Sequence, residues 1–236
     1  MKKRKAKVNS FCGRAARWVN AHLLRPFGLV LVQDMHIARP RSCRNVAYAG
    51  TDFIRYNTLG LLAQEIRQNK VPGACAELGV FQGDFACEIS KLLPERKIYL
   101  YDTFEGFAAQ DLTTEQARKF SLADECFANT DVALVRAKMP HINQCVFRKG
   151  IFPQSAQQDG QERFCLVSLD ADLYEPLYAG LKFFYERLSP GGYILVHDYG
   201  NPRYKGAAQA VRNFAREYKQ NFVPLCDHLG SVVFTK

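Results

Sequence analysis

From residue 58 onward, stretches with helical spacing alternate with short apolar runs. Leu59, Leu62 and Ile66 fall three and four residues apart, as on one face of a helix. Ala74 to Leu78 predicts a short strand ending at Gly79, with a helix from about Asp84. Lys97 to Tyr101 predicts a second strand, ending at Asp102. A helix over roughly 126–138 precedes a strand-like Cys145 to Phe147. Phe164 to Leu169 is the next strand and ends at Asp170. A helix carrying Leu177, Leu181, Phe184 and Leu188 stops at Ser189-Pro190-Gly191-Gly192, because proline and glycine end helices. Tyr193 to Val196 predicts a strand ending at His197-Asp198. A last helix, with Ala207, Val211, Phe214 and Tyr218 on one face, leads to two closing strands around Gly230.

Strands separated by helices need crossover connections, so the expected fold is α/β, a doubly wound, mostly parallel, Rossmann-like sheet. Two successive strands at the end predict an antiparallel last strand, which such sheets tolerate at an edge. Ligands in these folds bind beyond the carboxyl ends of the strands. Gly79, Asp102, Asp170 and His197-Asp198 therefore share one rim.

The 236 residues, 47% hydrophobic and 23% charged, suffice for one large domain with a sizeable core. Charge separates the chain in two. Residues 1–44 carry eleven Lys and Arg against Asp34, for +10, and the remainder carries 21 basic and 22 acidic residues, for −1. Residues 1–50 thus read as a basic extension and 51–236 as the folded domain. A nucleic-acid-binding domain would show its charge on the folded body, so no nucleic-acid partner is expected. Phe11, Ala15, Trp18, Val19, His22 and Leu23 fall at helical spacing within the arm. A basic amphipathic segment of this kind, residues 1–25, suits peripheral contact with a membrane or another anionic surface. Packing on the domain with a solvated tail is the plainer reading, and the favoured one. No apolar run is long enough to span a bilayer. Arg14 and Arg17 interrupt the place where a signal peptide needs its apolar core, so the chain reads as cytoplasmic. The eight cysteines include no C-x-x-C pair and no zinc-ligand spacing, and read as reduced thiols. A homo-oligomer is compatible with all of this.

Three blocks carry candidate chemistry. Glu77-Leu78-Gly79-Val80-Phe81-Gln82-Gly83-Asp84 has glycines that permit a tight strand-to-helix turn and close approach of a ligand. It is not G-x-G-x-x-G. Glu77 would repel a pyrophosphate but suits a cationic ligand such as a sulfonium or an amine. Asp102, in Tyr101-Asp102-Thr103-Phe104-Glu105-Gly106, lies one strand later and is placed to accept ribose hydroxyls. Helix or loop capping is its plain alternative. The connection from Thr103 to about Glu125 reads as a long loop, of the kind that often covers a site. Asp170-Ala171-Asp172-Leu173-Tyr174, together with His197-Asp198-Tyr199, gathers three carboxylates and an imidazole. Such a group asks for a cation, and hard divalent ions take oxygen ligands. The alternative is that Asp172 caps the helix starting near Pro176.

These blocks, with Leu188 to Tyr199, resemble the macrocin O-methyltransferase family over roughly residues 55–220. The resemblance implies a class I methyltransferase fold, S-adenosylmethionine, Mg²⁺ or another divalent metal, and a sugar or other polyhydroxylated acceptor. It also implies cofactor contacts at Glu77, Gly79, Phe81, Gly83, Asp102, Thr103 and Gly150, metal ligands at Asp170, His197 and Asp198, and a general base at Asp172. The chain departs from the family in one respect: His197-Asp198 stands where the family carries two adjacent aspartates. Two rivals follow from the same residues. A glycosyltransferase would use the D-x-D pair to hold a metal against a sugar nucleotide, and Glu77 argues against it. A non-catalytic adapter would retain the domain and dock through its arm.

Overall fold

The computed structural model describes residues 18–24, 52–121 and 127–236. They belong to two compact units, Met1–Ile37 and Ala38–Lys236. In the first, a π-helical turn spans Asn20–Leu24, and His22 stacks on Trp18 at 5.1 Å between ring centroids. The rest of the expected arm helix lies outside the described residues, as does residue 126 at the head of the expected 126–138 helix. Among the described residues, no helix is long and apolar enough to cross a membrane.

The second unit alternates helices and strands as the sequence pattern requires. Helix α1 (Phe53–Gln68) starts at Asp52, whose Oδ1 accepts the backbone N–H groups of Ile54 and Arg55. Then come β1 (Ala74–Leu78), α2 (Asp84–Leu92), β2 (Ile98–Asp102), α3 (Ala109–Ala117), α4 (Val132–Lys138) and β3 (Cys145–Lys149). The second half holds β4 (Phe164–Leu169), α5 (Tyr174–Arg187), β5 (Leu188–Val196), α6 (Lys205–Glu217), β6 (Val223–Pro224) and β7 (Val232–Thr235). Among the described residues the strands form one sheet in the order β3-β2-β1-β4-β5-β7-β6. The first five are parallel, and β7 turns back antiparallel to β5, as expected.

Strands β1 and β4 sit at the centre and are buried along their whole length. Both sheet faces are covered, which explains why these strands read as continuous apolar runs. Leu177, Leu181 and Phe184 of α5 pack on one face with Phe214 of α6. Leu59 and Ile66 of α1, Ile89 and Leu92 of α2, and Val135 of α4 cover the other.

Three segments differ from the sequence reading. The helix expected over 126–138 spans Val132–Lys138 only, started by Asp131, whose side chain accepts the backbone N–H of Leu134. Ser189–Gly192, expected as a break between helix and strand, lies inside β5. Leu188 already pairs with Phe164, and pairing resumes at Leu166–Tyr193, so the four residues form a bulge. The expected loop from Thr103 to Glu125 contains helix α3, whose buried residue is Glu115.

The rim is held by tight turns. Gly79 has φ of 84°, and a Cβ there would lie 2.2 Å from the Asp170 carbonyl oxygen, so the turn after β1 touches the end of β4. The loops after β1, β2, β4 and β5 each hold a non-glycine residue in the left-handed region: Phe81 (48°), Phe104 (54°), Asp172 (56°) and Asp198 (61°). Backbone of this kind clusters where surrounding structure fixes a functional geometry.

Candidate active site

A cavity of about 390 Å³ opens at the carboxyl ends of β1, β2, β4 and β5, within the range of small-molecule sites. Every site residue expected from the sequence lines it except Gly83. Gly83 caps α2 with φ of 81°, and a Cβ there would meet Val135 Cγ1 at 2.8 Å. Its glycine character serves the packing of α4 against the turn.

Asp102 ties the first turn to the end of β2. Its Oδ2 accepts the backbone N–H groups of Val80 at 2.6 Å and Phe81 at 2.9 Å, and Oδ1 accepts that of Phe104 at 2.7 Å. A carboxylate oxygen has two acceptor positions, so Oδ2 is filled and Oδ1 can take one more donor. Thr103 has a single hydroxyl proton, which goes to the Gly106 carbonyl at 2.5 Å rather than to Asp102 Oδ1 at 3.5 Å. Gly150 donates its N–H to the Asp102 carbonyl at 3.0 Å and brings the end of β3 to the wall.

Glu77 is 1% exposed, and its Oε2 has no hydrogen-bond partner among the described residues. Burial pushes its carboxyl well above the usual range, the charge of Asp170 adds to this, and Arg55 opposes it. A cation arriving beside it would favour the ionised form.

Opposite lies a charged group built on the ends of β4 and β5. Asp170 accepts from Arg55 Nη2 at 2.8 Å through Oδ2 and meets His197 Nδ1 at 3.0 Å through Oδ1. The same Nδ1 lies 3.0 Å from Asp198 Oδ2, while Asp198 Oδ1 accepts from Asn201 Nδ2 at 2.7 Å. Burial would raise Asp170, but Arg55 and His197 outweigh it and hold the carboxyl far below its ordinary value. Burial would lower His197, but Asp170 and the two hydrogen bonds raise it to about 10. Asp172 is pushed well above its ordinary value by burial, by the like charges of Asp198 and Asp170, and by a hydrogen bond to Asp198. Ligand atoms of Asp170, His197 and Asp198 all lie within 4.8 Å of one another. Carboxylate oxygens of Asp52 and Asp227 come equally near an imidazole nitrogen of His197.

Sequence reasoning missed Arg55, Asn201 and Glu115. Arg55 was open to discovery: it precedes Leu59, Leu62 and Ile66 by four, seven and eleven residues, which places a charge on the apolar face of α1. A charge there needs a buried partner. Glu115 accepts the backbone N–H of Tyr174 at 3.0 Å and the Ser121 hydroxyl at 3.1 Å, and the Gly206 amide also reaches it. It thereby caps the first turns of both α5 and α6, contacts that no local spacing announces.

Comparison with known proteins agrees with the fold. The family described as Macrocin-O-methyltransferase (TylF) matches residues 33–229. The chain is 25% identical over 208 residues to 8-demethyl-8-(2,3-dimethoxy-alpha-L-rhamnosyl)-tetracenomycin-C 4'-O-methyltransferase of Streptomyces olivaceus, covering 82% of this chain and 77% of that one. It is 26% identical over 181 residues to Mycinamicin III 3''-O-methyltransferase of Micromonospora griseorubida, covering 71% of each. The solved structure of the O-methyltransferase NovP superposes with a TM-score of 0.62 at 20% identity, covering 77% of this chain and 79% of that one. With most of its length matched by one family and the expected fold in place, the chain belongs to the macrocin O-methyltransferase family of S-adenosylmethionine-dependent O-methyltransferases.

Proposed function

We propose that the protein methylates a hydroxyl group on the sugar of a glycosylated small molecule, with a divalent cation at Asp170, His197 and Asp198. One observation carries this reading. A single cavity joins the Glu77–Gly79 turn to the group of Asp170, Asp172, His197 and Asp198. The names of both relatives support the acceptor class, one specifying a rhamnosyl compound and the other the 3''-oxygen of mycinamicin III. Family membership sets aside the sugar-nucleotide and adapter alternatives. In this reading residues 51–236 form the catalytic domain and residues 1–50 its basic extension.

The donor set fits a cation. Neighbouring ligands of an octahedral ion at about 2.1 Å lie roughly 3.0 Å apart, and His197 Nδ1 stands 3.0 Å from both carboxylate oxygens. Arg55 then acts as the outer partner that orients Asp170. One imidazole among the ligands suits an ion such as Fe²⁺ better than Mg²⁺. Such an ion supplies a Lewis acid that lowers the pKa of an acceptor hydroxyl, and S-adenosylmethionine supplies an electrophilic methyl group.

The chain's own residues do the rest. Glu77 receives the cationic portion of the cofactor, and Asp102 Oδ1 takes one ribose hydroxyl. Gly79, Phe81, Thr103 and Gly150 shape the wall around it. Asp172, beyond the end of β4, accepts the acceptor's proton as the methyl group moves. Calorimetry with S-adenosylhomocysteine and mass analysis of glycosides incubated with S-adenosylmethionine test the proposal. Binding, plus one added methyl on the sugar, is expected. Methylation confined to catechols, with every sugar refused, would sink it.

A further inference from the structure

A second cavity, of about 420 Å³, lies between the end of α3 and the start of α6. Tyr204, only 3% exposed, lines it and the first cavity alike. Its charged lining residues are Lys119, Arg203 and Lys205, and no acid among the described residues joins them. Among the same residues, neither lysine comes within ion-pair distance of a carboxylate. Glu115, which accepts the hydroxyl of the lining Ser121, is buried and also takes the Tyr174 and Gly206 amides. A cleft lined by one sign of charge draws in a ligand of the other.

One short connection couples the two cavities. Asn201, which lines the first, donates to Asp198 Oδ1 at 2.7 Å, and its own Oδ1 accepts the backbone N–H of Arg203 at 3.0 Å. Arg203 stands two residues further on and lines the second, at most about 7 Å away along the chain. On the other side, Lys205 donates its backbone N–H to the Phe120 carbonyl at 3.2 Å, which closes the end of α3 onto the start of α6. A sugar with one hydroxyl at Asp172 and Asp198 therefore has its substituent within reach of these cations.

We propose that the second cavity receives a phosphate group carried by the acceptor, so that the methylated sugar is a phosphate-linked one. The inference rests on the sugar O-methyltransferase reading above and specifies the acceptor's charge. The phosphate takes no part in the transfer, and no glycosidic bond breaks. Other occupants fit less well. S-adenosylmethionine has no phosphate, and Asp102, its expected ribose partner, lines the first cavity and not the second. A neutral aglycone gives the two lysines nothing to pair with, and a single carboxylate matches only one of them. A phosphate carries about two charges at neutral pH and offers oxygens to an arginine fork and to ammonium groups together. A nucleic-acid strand needs a longer basic track, whereas the chain beyond residue 44 sums to −1.

The test is steady-state kinetics on the full chain with S-adenosylmethionine. Rhamnose, glucose and galactose are each offered as the methyl glycoside, the 1-phosphate and the nucleoside diphosphate. For the sugar methylated best, at least one phosphorylated form is expected to show a KM about 10–100-fold below that of the methyl glycoside, as one or two charge-assisted contacts give. That preference should shrink as added salt screens the cations. The double variant Lys119→Gln, Lys205→Gln should reduce the preference about tenfold, and Lys119→Arg, Lys205→Arg should restore it. Both lysines are exposed, and thermal melting checks that the variants fold. Should the glutamine pair unfold, the salt dependence of the unsubstituted protein decides. Equal KM values for neutral and phosphorylated forms overturn the proposal and leave sugar methylation standing. A preference that survives both salt and the glutamine pair also overturns it, since its source then lies elsewhere. Methylation of none of these compounds overturns the acceptor reading itself, and this inference with it.

Discussion

Asp172 holds a left-handed backbone conformation, with φ of 56°, which asparagine adopts more readily than most residues. Asp172→Asn therefore removes the carboxylate without adding backbone strain. Turnover should fall about 10²–10⁴-fold, the usual worth of a general base, with S-adenosylhomocysteine binding and thermal stability kept. Near-normal turnover in the folded variant would leave Asp172 as a helix-end residue only. Glu77 makes a second prediction, about pH. Its carboxyl titrates well above the ordinary range in the free protein, through burial first and Asp170 second. A bound ammonium favours the ionised form, so binding releases a proton at pH values between the lowered value of the bound state and that raised value. Cofactor affinity should then rise with pH, by at most about tenfold per unit, and level off once Glu77 is ionised beforehand. Calorimetry in two buffers of different ionisation enthalpy measures the proton directly. Absence of proton release at mildly acidic pH would separate Glu77 from the cation.

At the level of elements, the parts legible in the sequence were those with a local cause. Strands β1 and β4 announce themselves because both sheet faces cover them, and their ends because a glycine or a carboxylate follows at once. The bulge at Ser189–Gly192 was not legible, because proline and glycine mark a break equally well within a strand or before it. Helix α3 was hidden for another reason: it is polar, and Glu115 anchors it through amides far along the chain. That anchor carries its own prediction. Glu115 joins α3 to the first turns of α5 and α6, the helices that follow the Asp172 and Asp198 loops. Glu115→Gln keeps one acceptor oxygen of the two, and should cost about 1–2 kcal/mol by urea denaturation, as lost helix caps do. Unchanged stability would show that the amides find other partners at no cost.

For the whole molecule, the charge division assigns the basic arm and the chemistry to different parts of the chain. Residues 1–44 carry +10 and the remainder −1, while every described residue that lines the cavity lies at position 55 or beyond. Deleting residues 1–10 should leave methyl transfer to a soluble acceptor intact. Any attachment of the full chain to anionic vesicles should fade as salt screens it. A large loss of turnover on deletion would make the arm part of the site. The sheet's two outer strands have a different consequence. One is β3, which ends in Arg148 and Lys149, and the other is β6, two residues long and containing Pro224, which has no N–H to donate. Neither presents a long row of unpaired backbone groups to a passing strand. Among the described residues, growth of the sheet from one molecule into the next, as in fibrils, is therefore disfavoured at both margins.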